Sequence, residues 1–81
     1  MALPEKVQDA IRQAEAAGAT AVVNVESEHA IVVTFTRRSG EWRTACWYVH
    51  PDTGGWRYSG TQGAPTIPKL TLAQLQHWLA A

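Results

Sequence analysis

The stretch from Thr20 to Ser59, TAVVNVESEHAIVVTFTRRSGEWRTACWYVHPDTGGWRYS, decides the fold. Residues 20–26 and 30–36 are rich in β-branched side chains and alternate in polarity, the pattern of half-buried strands. Residues 42–49 and 56–59 continue the pattern, so we expect a four-stranded antiparallel meander. The intervening segments are turn chemistry. Arg38-Ser39-Gly40 reads as a three-residue hairpin loop with Gly40 in the left-handed region. Pro51-Asp52-Thr53-Gly54 reads as a four-residue turn opened by a preset proline φ. Ser27–His29 reads as a three-residue loop.

These loop lengths set a register that the hydrophobic pattern checks. Val25 is expected opposite Ile31, Val23 opposite Val33, Val33 opposite Ala45 and Ile31 opposite Trp47. In the last hairpin, Trp47 is expected opposite Tyr58 and Val49 opposite Trp56. Every hairpin then places one set on one face: Ala21, Val23, Val25, Ile31, Val33, Phe35, Ala45, Trp47, Val49, Trp56 and Tyr58. A slip of one residue scatters that set over both faces, so the agreement carries information.

Outward from the strands lie two helical patterns. Val7, Ala10, Ile11, Ala14 and Ala17 recur at helical spacing over residues 4–17, with Pro4 suited to the first turn and Gly18 to the C-terminal stop. Residues 60–70 read as a loop. Thr71 and Gln74 then have capping-box spacing, flanked by a Leu70–Leu75 staple, and predict a last helix over 72–80. The expected architecture is a single α+β domain over residues 1–81. It is two-layered, in the order helix, four-stranded antiparallel meander, helix (αββββα), with both helices on one sheet face.

Composition narrows the function classes. The 81 residues are 46% hydrophobic and 17% charged, and seven basic side chains balance seven acidic ones. Zero net charge argues against a strongly basic nucleic-acid or membrane-surface module. The single cysteine, Cys46, excludes an intramolecular disulfide framework and a Cys-rich zinc module. The opening Met-Ala-Leu-Pro-Glu-Lys lacks the pattern of a secretory signal, and no apolar run is long enough to span a bilayer. We therefore expect a cytoplasmic protein, and five Arg against two Lys with thirteen Ala point to a bacterial or phage source.

The second sheet face is the candidate working surface. It is expected to carry Val22, Asn24, Glu26, Val32, Thr34, Thr36, Trp42, Thr44, Cys46, Tyr48, Arg57 and Ser59. Trp, Tyr and Arg dominate interface energetics because each buries much area for little entropy loss. Trp42, Tyr48, Arg57, Thr34 and Thr44 are thus the expected contacts to another protein or to a second copy of the chain. Arg37, Arg38 and Arg43 with Trp42 form a second candidate, an anion or nucleic-acid contact in which an aromatic stacks beside held phosphates. A solvated hairpin tip, with Arg37 or Arg38 paired to Glu41, is the plainer reading of that cluster. Glu28, His29, His50 and Asp52 are expected at one end of the sheet, without the spacing of a metal site. His77, beside Trp78 on the last helix, reads as a surface or boundary residue.

Catalytic patterns are missing from the sequence. There is no Gly-rich phosphate loop, no Gly-x-Ser-x-Gly elbow and no His-Glu-x-x-His pair. Cys46 and His50 share a face but stand ~13 Å apart along a strand, too far for a thiolate–imidazole pair. The expectation is a non-enzymatic binding protein with no cofactor and no metal, acting as an inhibitor, immunity or antitoxin protein, or adaptor. Nucleic-acid binding and a homodimeric regulatory role are the alternatives.

The helix–strands–helix order resembles the layout of the double-stranded-RNA-binding domain, which also sets two helices on one face of an antiparallel sheet. That family carries a lysine-rich start to its last helix. Here the segment reads Lys69-Leu70-Thr71-Leu72-Ala73-Gln74, with a single lysine, so the resemblance implies the layout and not the RNA-binding function.

Overall fold

Helix α1 spans Glu5–Ala16, and Pro4 precedes it as N-cap with its carbonyl accepting the amides of Val7 and Gln8 at 3.0 Å each. A computed structural model describes residues 3–62 and 69–80. α1 ends in a Schellman turn. The Ala19 amide donates to the Ala14 carbonyl at 2.9 Å and the Gly18 amide to the Glu15 carbonyl at 3.0 Å, while Gly18 takes φ +87°. Those two bonds satisfy carbonyls that the helix end leaves open, and they require a residue tolerant of positive φ.

The strands are β1 (Thr20–Glu26), β2 (Ala30–Thr36), β3 (Trp42–Val49) and β4 (Trp56–Gln62), followed by helix α2 (Leu72–Ala80). They form one antiparallel sheet in the order β1-β2-β3-β4, a plain meander. The β2–β3 register is the expected one, with Val33 opposite Ala45, Ile31 opposite Trp47 and Gly40 at φ +92° in the loop. Around the β3–β4 turn, Val49 faces Trp56 and Trp47 faces Tyr58, also as expected.

Two corrections follow from bulges. In β1 the register shifts between Val23 and Val25, so Val25 pairs with Val32 and Glu26, not Val25, pairs with Ile31. The turn itself is tighter than the expected Ser27–His29 loop. The Ser27 amide donates to the Ala30 carbonyl at 3.0 Å, and Ser27 Oγ accepts the amides of His29 and Ala30. This hydroxyl-braced turn leaves two residues at the tip, and Asn24 absorbs the residue left over as a bulge. Val23 keeps its expected partner Val33, but Val25 leaves the helix side of the sheet and Glu26 takes its place there. The second bulge lies in β4, where Cys46 faces Gly60 while Trp47 faces Tyr58, leaving Ser59 unpaired. Beyond it the strand continues to Gln62, so residues 60–62 are strand rather than loop. The rest of the expected loop, residues 63–68, lies outside the described residues.

One buried cluster joins the elements: Val7, Ala10 and Ala14 of α1, Leu75 and Leu79 of α2, and Ile31, Val33, Phe35, Ala45 and Trp47 of the sheet. Trp47 sits at its centre, edge-on to Phe35 at 6.5 Å and to Tyr58 at 5.4 Å between ring centroids. The capping box forms as expected, with Thr71 and Gln74 exchanging side-chain bonds to each other's amides at 2.8 and 3.2 Å. A clamp from β4 fixes the entry to α2. Buried Thr61 accepts the Leu70 amide through Oγ1 at 2.8 Å, and the Tyr58 hydroxyl donates to the Leu70 carbonyl at 2.8 Å. Burial raises the Tyr58 pKa to about 12, with the nearby Cys46 thiolate adding to the shift.

Candidate protein-docking face

The face of the sheet opposite the buried cluster is a grid of four rows set by the register. The first row is Thr20, Thr36 and Trp42. The second is Val22, Thr34, Thr44 and the Gln62 position, and the third is Val25, Val32, Cys46 and Gly60. The fourth is Ala30, Tyr48 and Arg57. Among the described residues, five large hydrophobic side chains are substantially exposed, and four of them stand on this face: Val22, Val25, Trp42 and Tyr48. The fifth, Val23, lies on the helix side of β1. Such clustering differs from the single exposed apolar side chains normal on any surface.

The polar groups of the face bond to each other. The Thr34 hydroxyl donates to Asn24 Oδ1 and lies 3.4 Å from the Thr44 hydroxyl, a chain across three strands. A hydroxyl already partnered loses little when water is excluded, whereas an unpaired one carries the full desolvation cost. Cys46, half-buried in the third row, has its thiol pKa raised by burial, with the charge of Lys69 opposing the shift. A thiol held protonated is a poor nucleophile.

Five expected contacts, Trp42, Tyr48, Arg57, Thr34 and Thr44, therefore share one face, with Tyr48 directly opposite Arg57. Sequence reasoning missed Val25, which the Asn24 bulge delivers to this face. The signal for it is local: a Ser27 hydroxyl able to brace a two-residue turn forces an extra residue into β1.

The arginine end is arranged differently from the expected anion site. Arg43 pairs with Phe35 on the helix side, so it and Trp42 point to opposite faces. The Arg37 and Arg43 guanidinium carbons lie 4.6 and 4.8 Å from the Trp78 ring centroid. Arg37 also donates to the Trp78 carbonyl at 3.1 Å and forms an ion pair with Glu41, which holds the Glu41 carboxyl below its ordinary pKa. Arg38 lies against Gly18. Two of the three guanidiniums thus fasten the last turn of α2 to the β2–β3 hairpin; Arg43 also donates to the Trp42 carbonyl at 2.8 Å, while the Trp42 ring stands on the opposite face.

At the other end, His50 Nδ1 accepts the Asp52 amide at 3.3 Å within its own turn. Among the described residues, no three His, Cys, Asp or Glu side chains gather closely enough to hold a metal ion. On the helix side, Glu26 helps line a cleft of about 530 Å³ with Pro4, Glu5, Ser27, Glu28, Ile31 and Trp56. No helix among the described residues is long and apolar enough to cross a membrane. Comparison with known protein families, curated proteins and solved structures finds no match to this chain. The fold and the face alone therefore define its class, a small α+β protein of two helices and a four-stranded antiparallel sheet, with one sheet face left open among the described residues.

Proposed function

We propose that this chain is a small non-enzymatic binding protein that works by protein–protein contact through its open sheet face. Its role is that of an inhibitor, an immunity or antitoxin protein, or an adaptor in a bacterial or phage cytoplasm. One observation carries the reading: the exposed large hydrophobic side chains gather on that face beside hydroxyls that already bond to each other. Covering such a surface gains apolar burial at small polar cost. Trp42 and Tyr48 supply the anchor residues, and Thr34, Thr44 and Arg57 complete the contact.

The test is capture from source-cell lysate, with nuclease-treated and untreated halves, comparing the natural chain with Trp42→Ala and Tyr48→Ala. The reading expects a protein retained after nuclease treatment and lost from both variants, whose circular dichroism stays that of the natural chain. Retention by both folded variants would refute it. Recovery that disappears with nuclease would move the function to nucleic acid.

A further inference from the structure

The open face has a profile and a charge that together describe its partner. Along β3 the side chains run large, small, small, large: Trp42, Thr44, Cys46, Tyr48. Tyr48 lies six positions beyond Trp42, ~20 Å at strand rise. The two rows between them hold nothing bulkier than valine among their described side chains, and the third ends on Gly60, which has none. The result is a shallow lane crossing all four strands, walled by an indole and a phenol. An α-helix with its side chains is ~10–12 Å across, which fits between those walls. The lane is ~14 Å long from β1 to β4, the length of about three helical turns. A second copy of this face fits poorly, since tall ends would meet tall ends and leave the centre unfilled.

Charge supplies the other half. The four rows contain no carboxylate, and Arg57 is exposed with no hydrogen-bond or ion-pair partner among the described residues. Lys69 stands beside the same margin: a Cβ added at Gly60 would lie 3.7 Å from Lys69 Cδ. The β4 border of the lane therefore carries two cations at its third and fourth rows. Rim charges of one sign steer a partner of the opposite sign and set its orientation. Two cations are few for a nucleic-acid strand, whose binding rests on many phosphate contacts.

We infer that the partner presents an acidic amphipathic helix, laid across the strands between Trp42 and Tyr48 with its carboxylates toward Arg57 and Lys69. This rests on the docking reading above and specifies its chemistry. The probes are two 18-residue designed helical peptides with the same leucine stripe, one flanked by glutamates and one by lysines. Binding is followed by amide chemical shifts of the labelled protein. The glutamate peptide is expected to shift Val22, Val25, Val32, Thr34 and Thr44 and to bind about tenfold tighter than the lysine peptide. Double replacement Arg57→Glu with Lys69→Glu is expected to invert the preference. Equal affinities, or shifts confined to the helix side, would overturn the inference. So would light scattering that shows a dimer dissociated by Trp42→Ala, or an oligonucleotide that shifts the same amides with steep salt dependence. If the captured cellular partner is lost from Trp42→Ala yet kept by the charge-reversed chain, the docking face stands and the acidic-helix inference falls. If Trp42→Ala and Tyr48→Ala both keep the partner, both fall.

Discussion

Trp42 and Trp47 lie on one strand with opposite surroundings, so replacing each by alanine tests which face of the sheet is covered. Trp47 is 1% exposed and Trp42 51% exposed. A tryptophan buries ~150–250 Å² when enclosed. Half of that, ~100 Å², at ~25 cal/mol per Å² bounds the loss for Trp42→Ala at ~2.5 kcal/mol. Allowing for the compactness of unfolded chains brings it to ~1.5–2 kcal/mol. Trp47→Ala removes the whole ring from between Phe35 and Tyr58 and leaves a cavity, at a cost of ~3–5 kcal/mol. A domain of 81 residues has about 4–12 kcal/mol in total. Trp42→Ala should therefore stay folded, while Trp47→Ala should be marginal or unfolded. The gap of ~2 kcal/mol corresponds to about 10–15 °C in Tm. Urea titration followed by far-ultraviolet circular dichroism reads both. Equal losses for the two variants, or a greater loss for Trp42→Ala, would sink the face assignment and the docking face with it.

Four further outcomes follow from features away from that face. Gly18→Ala puts a Cβ at φ +87° and against the Arg38 guanidinium, so it should cost ~1–2 kcal/mol in thermal or urea unfolding. Arg37→Ala should raise hydrogen exchange in the last turn of α2 relative to α1, because it removes the bond to the Trp78 carbonyl, the contact with the Trp78 ring and the pair with Glu41. Acid should reach the same contact. Glu41 has a lowered folded pKa, so its contribution is full above the unfolded value of 4.5 and is lost as pH falls through the folded one; Glu41→Gln should flatten that part of the stability profile. Tyr58 has a raised folded pKa of about 12, so its contribution is full below pH 10 and lost as pH rises toward 12; ultraviolet titration should show one late tyrosine that Tyr58→Phe removes.

Most of the fold was legible because its turns carry distinctive chemistry. Gly40 and the Pro51–Gly54 segment determine loop length, and loop length with a period of two determines which residues face each other across β2–β3 and around the β3–β4 turn. The two bulges were not legible by that logic, since alternation assumes an unbroken ladder. The choice at Ser27 depends on a side-chain oxygen bracing two amides, a local bond that moves Val25 and Glu26 across the sheet together. The extension of β4 was hidden by Gly60 and Thr61, loop-like in composition, yet Thr61 is buried because its hydroxyl receives the chain entering α2. The candidate face was legible at Trp42, Tyr48 and Arg57. The roles of Arg37 and Arg43 were not, because their partner Trp78 lies far along the chain and meets them only through α2.

The strand β1 borders the sheet on one side, and its outer backbone groups have no neighbour in the meander. Over seven residues it contains no proline and no lysine, and its single charge is the final residue, Glu26. A border of that kind is a template on which another chain can add and fibrils can grow. The extra residue at Asn24 bends and twists the strand, so an incoming strand finds regular backbone only over Thr20–Val23. The insertion that hands Val25 to the open face thus also interrupts the regular edge to which another strand would add.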